Sequence, residues 1–134
     1  MKQVLVIVLA LFIVGCSSTS KVALSEDSFL LTSNDPEYGY TESKPIELGG
    51  FLRGTKSAGA HIEYFEGLMG PNGEKVKVTR LGSCCEFEDK SMPFGGGLLD
   101  RYQLTYEGQK KPVIIYVNLY KFNKPLAPMG FALL

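Results

Sequence analysis

The chain has 134 residues, 14 Lys plus Arg against 14 Asp plus Glu, a formal net charge of zero and a single histidine. That length supports one domain and excludes a barrel enzyme, which needs ~250 residues. The charge balance argues against a nucleic-acid binder and against a membrane protein held by electrostatics. With no tryptophan, seven tyrosines and eight phenylalanines supply the large apolar surfaces, and neither a repeat of solenoid period nor a long low-complexity segment is present.

Met1-Lys2-Gln3 precedes an unbroken run of eleven apolar residues, Val4 to Val14, which ends at Gly15-Cys16-Ser17-Ser18. A basic start, a short apolar core and small residues at the exit describe an export signal. The run is too short to span a bilayer, which takes ~20 apolar residues. Other readings of the same run are a buried element of the domain, an uncleaved anchor, and cleavage by a general signal peptidase. The segment Ile13-Val14-Gly15-Cys16 resembles the lipobox of bacterial lipoproteins. That resemblance implies a diacylglyceryl thioether on Cys16, removal of residues 1–15 and acylation of the new amino terminus. Each buried methylene contributes ~0.8 kcal/mol, so two or more chains anchor stably. Ser17, where an aspartate would mark retention at the inner membrane, implies transfer to the outer membrane, facing the periplasm. The mature chain of 119 residues then carries 13 basic and 14 acidic residues, a formal charge of −1 with His61 neutral.

Residues 16–37 are mostly small and polar and read as a tether, with Phe29, Leu30 and Leu31 as an apolar exception able to pack as an irregular arm. A single domain is expected over residues 38–134. Pro45-Ile46-Glu47-Leu48 alternates as a short strand does, stopped by Gly49-Gly50. Ser57 to Met69 reads as a helix: Ala58, Ile62, Phe65 and Met69 recur at helical spacing, Ser57 stands at the capping position, and Gly70-Pro71 is a stop. After the Pro71-Asn72-Gly73 turn, Lys75 to Leu81 alternates with Val76 and Val78 facing in. Residues 82–97 read as a sixteen-residue loop. Arg101 to Glu107 alternates with Tyr102, Leu104 and Tyr106 on one face. Pro112 to Tyr120 is apolar on both faces, the pattern of a central strand covered on both sides. The short link Gly108 to Lys111 joins these two as an antiparallel hairpin. The tail from Pro125 is expected to be irregular and packed on the sheet. Together these elements predict an α+β fold, one helix packed on a small antiparallel sheet of three or four strands.

With Cys16 lipidated, Cys84 and Cys85 are the remaining thiols. Neighbouring Cα atoms lie ~3.8 Å apart, whereas ordinary disulfides prefer ~4.4–6.8 Å, so a bond between neighbours closes a strained and more reducible ring. Four readings stand: a vicinal disulfide acting as a structural turn, two buried reduced cysteines, intermolecular pairing, and a working thiol or soft-metal site in which Met92 is a further sulfur for Cu(I). His61 reads as a helix residue at the margin of the apolar face. A single histidine builds no histidine metal cluster, and no G-x-S-x-G elbow accompanies it. Gly95-Gly96-Gly97 lacks the spacing and lysine of a phosphate loop and reads as a flexible or tightly turning connection. Glu86, Glu88, Asp89 and Asp100 read as a solvated loop rather than a cation site. Tyr102, Tyr106, Tyr116 and Tyr120 read as a stripe on the hairpin, either half-buried packing or an aromatic surface for a partner or glycan.

The stretches Gly70-Pro71-Asn72-Gly73-Glu74, Gly82-Ser83-Cys84-Cys85-Glu86-Phe87, Leu98-Leu99-Asp100-Arg101-Tyr102, Thr105-Tyr106-Glu107-Gly108 and Pro112-Val113-Ile114-Ile115-Tyr116-Val117-Asn118 resemble a family of small bacterial lipoproteins, over roughly Tyr38 to Phe131. Such chains are sometimes labelled 2-dehydro-3-deoxyphosphooctonate aldolase. That enzyme is a large cytoplasmic barrel acting on phosphorylated sugars, which a short exported chain does not fit. The resemblance implies no established activity, and Glu86 stands where the family has a proline after the cysteine pair. The functional expectation is a membrane-anchored envelope lipoprotein whose domain binds an envelope protein or serves a structural role, through a sheet edge or the 82–97 segment. The alternative is a periplasmic thiol-redox or Cu(I)-binding protein using Cys84 and Cys85. A hydrolase or transferase lacks a convergent acid–base set. The reading therefore includes no catalytic residue, no cofactor beyond the lipid on Cys16, and no nucleic-acid partner.

Overall fold

The computed structural model describes residues 31–49 and 59–134. The expected export signal, Cys16, most of the expected tether with Phe29 and Leu30, Gly50, and Ser57-Ala58 lie outside the described residues.

The strands β1 (Ile46–Glu47), β3 (Lys77–Glu88), β4 (Gly96–Thr105) and β5 (Val113–Asn118) form one sheet in the order β1-β5-β4-β3. β3, β4 and β5 are an antiparallel meander, and residues 106–112 close the β4–β5 hairpin that the short link predicts. β1 adds to β5 in parallel, with Ile46 opposite Val117, so the sheet is mixed at that edge rather than wholly antiparallel. The helix α1 (Ala60–Gly67) leads directly into β2 (Leu68–Met69), which pairs with β6 (Ala132–Leu133) as a small second sheet. The class is α+β, one helix and a four-stranded sheet among the described residues.

The core lies on one face of the large sheet. Ile46, Tyr102, Leu104, Ile115 and Val117 meet Tyr64 of α1, Leu68 of β2, and Phe131 and Leu133 of the tail. Leu104, Ile115 and Val117 expose no surface, and each such side chain contributes roughly 1.5–3 kcal/mol. β5 is central, as its composition predicts, but only its Ile115–Val117 face is sealed. Ile114 on the other face is 42% exposed.

The helix is shorter than expected and turned. Eight residues are helical, with Gly59 at the N-cap and no side-chain cap. The expected stripe forms only in part: Phe65 faces inward with Leu68, which widens that face, and with Tyr64, while Ile62 is 54% exposed. Leu68 leaves helical geometry for an extended ψ of 131°, its amide still donating to the Phe65 carbonyl, and stands opposite Leu133 of the tail. Phe65 lies against Tyr102, ring centroids 4.6 Å apart, and so seats the helix on the sheet.

The tail is packed, as expected, and pinned by tyrosines. The Tyr64 hydroxyl donates to the Leu126 carbonyl at 2.9 Å, Leu126 N donates to the Tyr38 hydroxyl at 3.1 Å, and the Tyr40 hydroxyl donates to the Met129 carbonyl. A buried phenol needs such a partner, and here the partner is the chain end. The same tail takes in residues that the sequence assigns to the tether. Ala127 N donates to the Leu31 carbonyl, and Ser33 N to the Ala127 carbonyl, both at 2.8 Å. The ordered fold therefore includes Leu31, seven residues before Tyr38.

Residues 82–97 are not a long loop. Residues 82–88 continue β3, and β4 begins at Gly96. The true turn is residues 89–95, where Asp89 N donates to the Gly95 carbonyl at 2.8 Å and Met92 N to the Asp89 carbonyl at 3.0 Å. Asp89 Oδ1 accepts from Ser91 N and Oγ at 2.9 and 2.7 Å. Its Oδ2 meets Lys121 Nζ at 2.7 Å, beyond β5. The Lys121 bond and the two Ser91 bonds hold the Asp89 carboxyl down to about 2. The glycine run is a shaped part of the strand. A Cβ on Gly97 would stand 2.8 Å from the Tyr120 ring, and Phe87, opposite Gly97, packs on Tyr120 with centroids 5.7 Å apart. The missing side chain is what lets the two rings close over β4.

Candidate functional site

The twelve residues of β3 run beside the ten of β4. The register opens with Lys77 opposite Thr105 and Arg80 opposite Tyr102, then shifts so that Gly82 faces Arg101 and Ser83 faces Asp100, and shifts again so that Glu86 faces Leu98. The first shift leaves Leu81 without a counterpart, with Gly82 at φ +110°, a conformation that glycine adopts without a steric penalty. The second sets Cys84 and Cys85 together opposite Leu99. Each is a one-residue bulge, and both lie on an edge strand, where bulges most often occur.

The first bulge builds a polar cluster. In a regular strand Arg80 and Ser83, three apart, point to opposite faces. The extra residue brings them to the same face, over Asp100. Arg80 Nε donates to Asp100 Oδ2 at 3.0 Å and Nη2 to Oδ1 at 3.1 Å, while Ser83 Oγ donates to Oδ1 at 2.8 Å. Asp100 is only 6% exposed. Burial pushes its carboxyl up, but the hydrogen bonds from Arg80 and Ser83, with the charges of Arg80 and His61, outweigh that and hold it below the ordinary value. Period-two reading of the sequence misses Arg80 and Ser83 because it separates them.

This cluster is not a nucleophilic triad. His61 acts on Asp100 through its charge, and the Ser83 hydroxyl donates to Asp100. A working nucleophile needs its hydroxyl on the base. His61 instead lines an open groove of about 420 Å³ between α1 and the start of β3. Ile62, Phe65, Leu68, Val76 and Val78 supply its apolar wall, and Glu66 and Lys75 its charges.

The second bulge holds the cysteines. Their sulfurs are bonded, the Cα atoms are 3.8 Å apart, and both residues are half-buried rather than sealed in the core. A loop of two residues removes little entropy from the unfolded chain, ~1 kcal/mol on the chain-entropy relation. The bond's effect is therefore local, on the shape of the bulge. Met92 lies in the hairpin turn, beyond the three further residues of β3 that follow Cys85, at least ~10 Å along the strand. It does not converge with the two sulfurs. Among the described residues no group of three or more His, Cys, Asp or Glu side chains is placed to hold a metal ion. The acidic residues part company: Asp89 turns to Lys121, Asp100 to Arg80, and Glu86 and Glu88 to solvent. The tyrosines form no single stripe either. Tyr102 is in the core and Tyr106 packs edge-on to Phe131, whereas Tyr116, opposite Arg101, lies on the other face, and Tyr120 packs on Phe87.

Compared with family models, curated protein sequences and solved structures, the chain matches none.

A depressed carboxyl stabilises the fold above its unfolded value of about 3.9 and loses that contribution as pH falls through the lower folded value. Asp100→Asn is therefore expected to cost about 1.5–3 kcal/mol at neutral pH, the range for hydrogen bonds to a charged group. The gap to the unmodified protein should narrow toward pH ~3. Urea denaturation across that range checks this, and a gap that does not change with pH would show that the Asp100 charge contributes nothing.

Proposed function

We propose that this chain is a cell-envelope lipoprotein, held on the periplasmic face of the outer membrane by lipid on Cys16, whose small α+β domain has a binding or structural role. The observation that carries this reading is the order basic start, eleven apolar residues, Ile13-Val14-Gly15-Cys16. The fold is compatible with it. No helix among the described residues is long and apolar enough to cross a membrane, and fourteen residues separate Cys16 from Leu31. The accessible edge of β3 and the hairpin turn are the surfaces on which a partner's recognition would rest. The family of small lipoproteins with a Gly-Ser-Cys-Cys segment belongs to the same proposal.

A second reading draws on one feature. The Cys84–Cys85 bond sits half-exposed on a bulged edge, where a dithiol reductant can reach it. Reduction would yield two thiols and the oxidised dithiol. A thiol-redox or Cu(I) role would use that reduced pair.

Replacing Cys16 by Ser should abolish incorporation of radiolabelled fatty acid and release the chain from washed membranes; undiminished labelling would refute the anchor. For the cysteine pair, intact mass after alkylation in graded dithiol buffers gives the reduction potential. The redox reading expects a value above about −300 mV, and a more negative one assigns the bond to structure alone.

A further inference from the structure

The hairpin turn presents an aromatic ring to solvent. Phe94 is 88% exposed, the most exposed of the large hydrophobic side chains described. The turn beneath it is well braced: Gly95 N donates to the Met92 carbonyl at 3.0 Å, and Asp89 ties the turn both to Ser91 and to Lys121. The residue after Lys121 is Phe122, 61% exposed, so the ion pair brings a second ring to the same end of the sheet. Lys90 and Lys124 are exposed there and make no ion pair among the described residues. Aromatic rings with lysines beside them suit the headgroup layer of a bilayer, where the ring enters the acyl boundary and the ammonium reaches phosphate. Glu88, opposite Gly96, begins an acidic stem and limits any contact to the turn itself.

The length of chain before the fold names the occupant. Cys16 stands fifteen residues before Leu31. Even fully extended, that stretch keeps a lipid on Cys16 within ~50 Å of the first residue of the fold. We propose that the β3–β4 turn, led by Phe94, docks in the interfacial layer of the bilayer that carries the anchor and so sets the orientation of the domain. This rests on the lipoprotein reading above. One or two rings hold a free protein poorly, but for a tethered domain the bilayer is already at high effective concentration, so the turn fixes orientation rather than affinity.

The absence of tryptophan supplies the test. Phe94→Trp and, separately, Ile62→Trp are introduced into the full chain. Ile62 lies on α1, beside the groove at the opposite end of β3. Each protein is extracted from membranes and reconstituted into phosphatidylcholine vesicles with and without bromine on the acyl chains. The expected result is about a twofold loss of emission for Phe94→Trp in brominated vesicles and little change for Ile62→Trp. Equal quenching at both positions, or at neither, overturns the proposal. Shielding of Phe94→Trp in whole envelopes but not in vesicles also overturns it and points to a protein partner. A chain with no lipid mass on Cys16 that fails to float with vesicles overturns the lipoprotein reading, and this proposal with it. Flotation and mass therefore report on the anchor, and quenching reports on the turn.

Discussion

Two strands of unequal length must pair, and the rest of the structure follows from how they do it. β3 brings twelve residues to ten of β4, so two residues have to leave the ladder. They leave separately, one at Leu81 and one within Cys84-Cys85. Each departure exchanges the faces of everything beyond it. The first turns Ser83 to the face of Arg80; the second restores the alternation, so Glu86 keeps that face and Phe87 the opposite one, where the shifted register sets it over Gly97 against Tyr120. The buried Asp100 is tolerable only because this slippage delivers two donors to it. The same two bulges interrupt a long edge strand, which disfavours unintended pairing with another chain.

This explains what could be read from the residues and what could not. Strands with unbroken alternation were legible: Val76 and Val78, Tyr102 and Leu104, and Ile115 and Val117 lie on the core side as their spacing says. The 82–97 segment was not, because alternation fails wherever a bulge inserts a residue, and glycines and a cysteine pair then look like loop chemistry. The helix face was missed for another reason. Leu68 and Met69 pair with the tail and the helix ends at Gly67, while Tyr64, only 4% exposed, takes the inward place expected of Ile62. The attachment of Leu31 through Ser33 depends on backbone bonds to Ala127, nearly a hundred residues away, and no local pattern encodes it.

The candidate site was half visible. Cys84 and Cys85 stood out by composition alone, and the structure gives them a place, the second bulge of an edge strand. Their bond closes too small a loop to matter much for global stability, so its value lies in the shape and accessibility of that edge. Asp100 read only as part of a solvated acidic loop, whereas it is buried in β4; its association with Arg80 and Ser83 carried no sequence signal, since it requires the first bulge. Function on this account is divided along the chain. On the proposed reading the lipobox-like start would supply address and anchor, and the domain a bulged edge and a braced aromatic turn.

The register itself is the claim to test first. Cross-strand nuclear Overhauser contacts between backbone protons of β3 and β4, in one isotopically labelled sample, report it residue by residue. The account predicts Arg80 opposite Tyr102, Ser83 opposite Asp100 and Phe87 opposite Gly97 together. A constant register continued from Lys77 and Thr105, which would put Ser83 opposite Leu99 and Glu86 opposite Gly96, would contradict it and remove the basis for the Asp100 cluster.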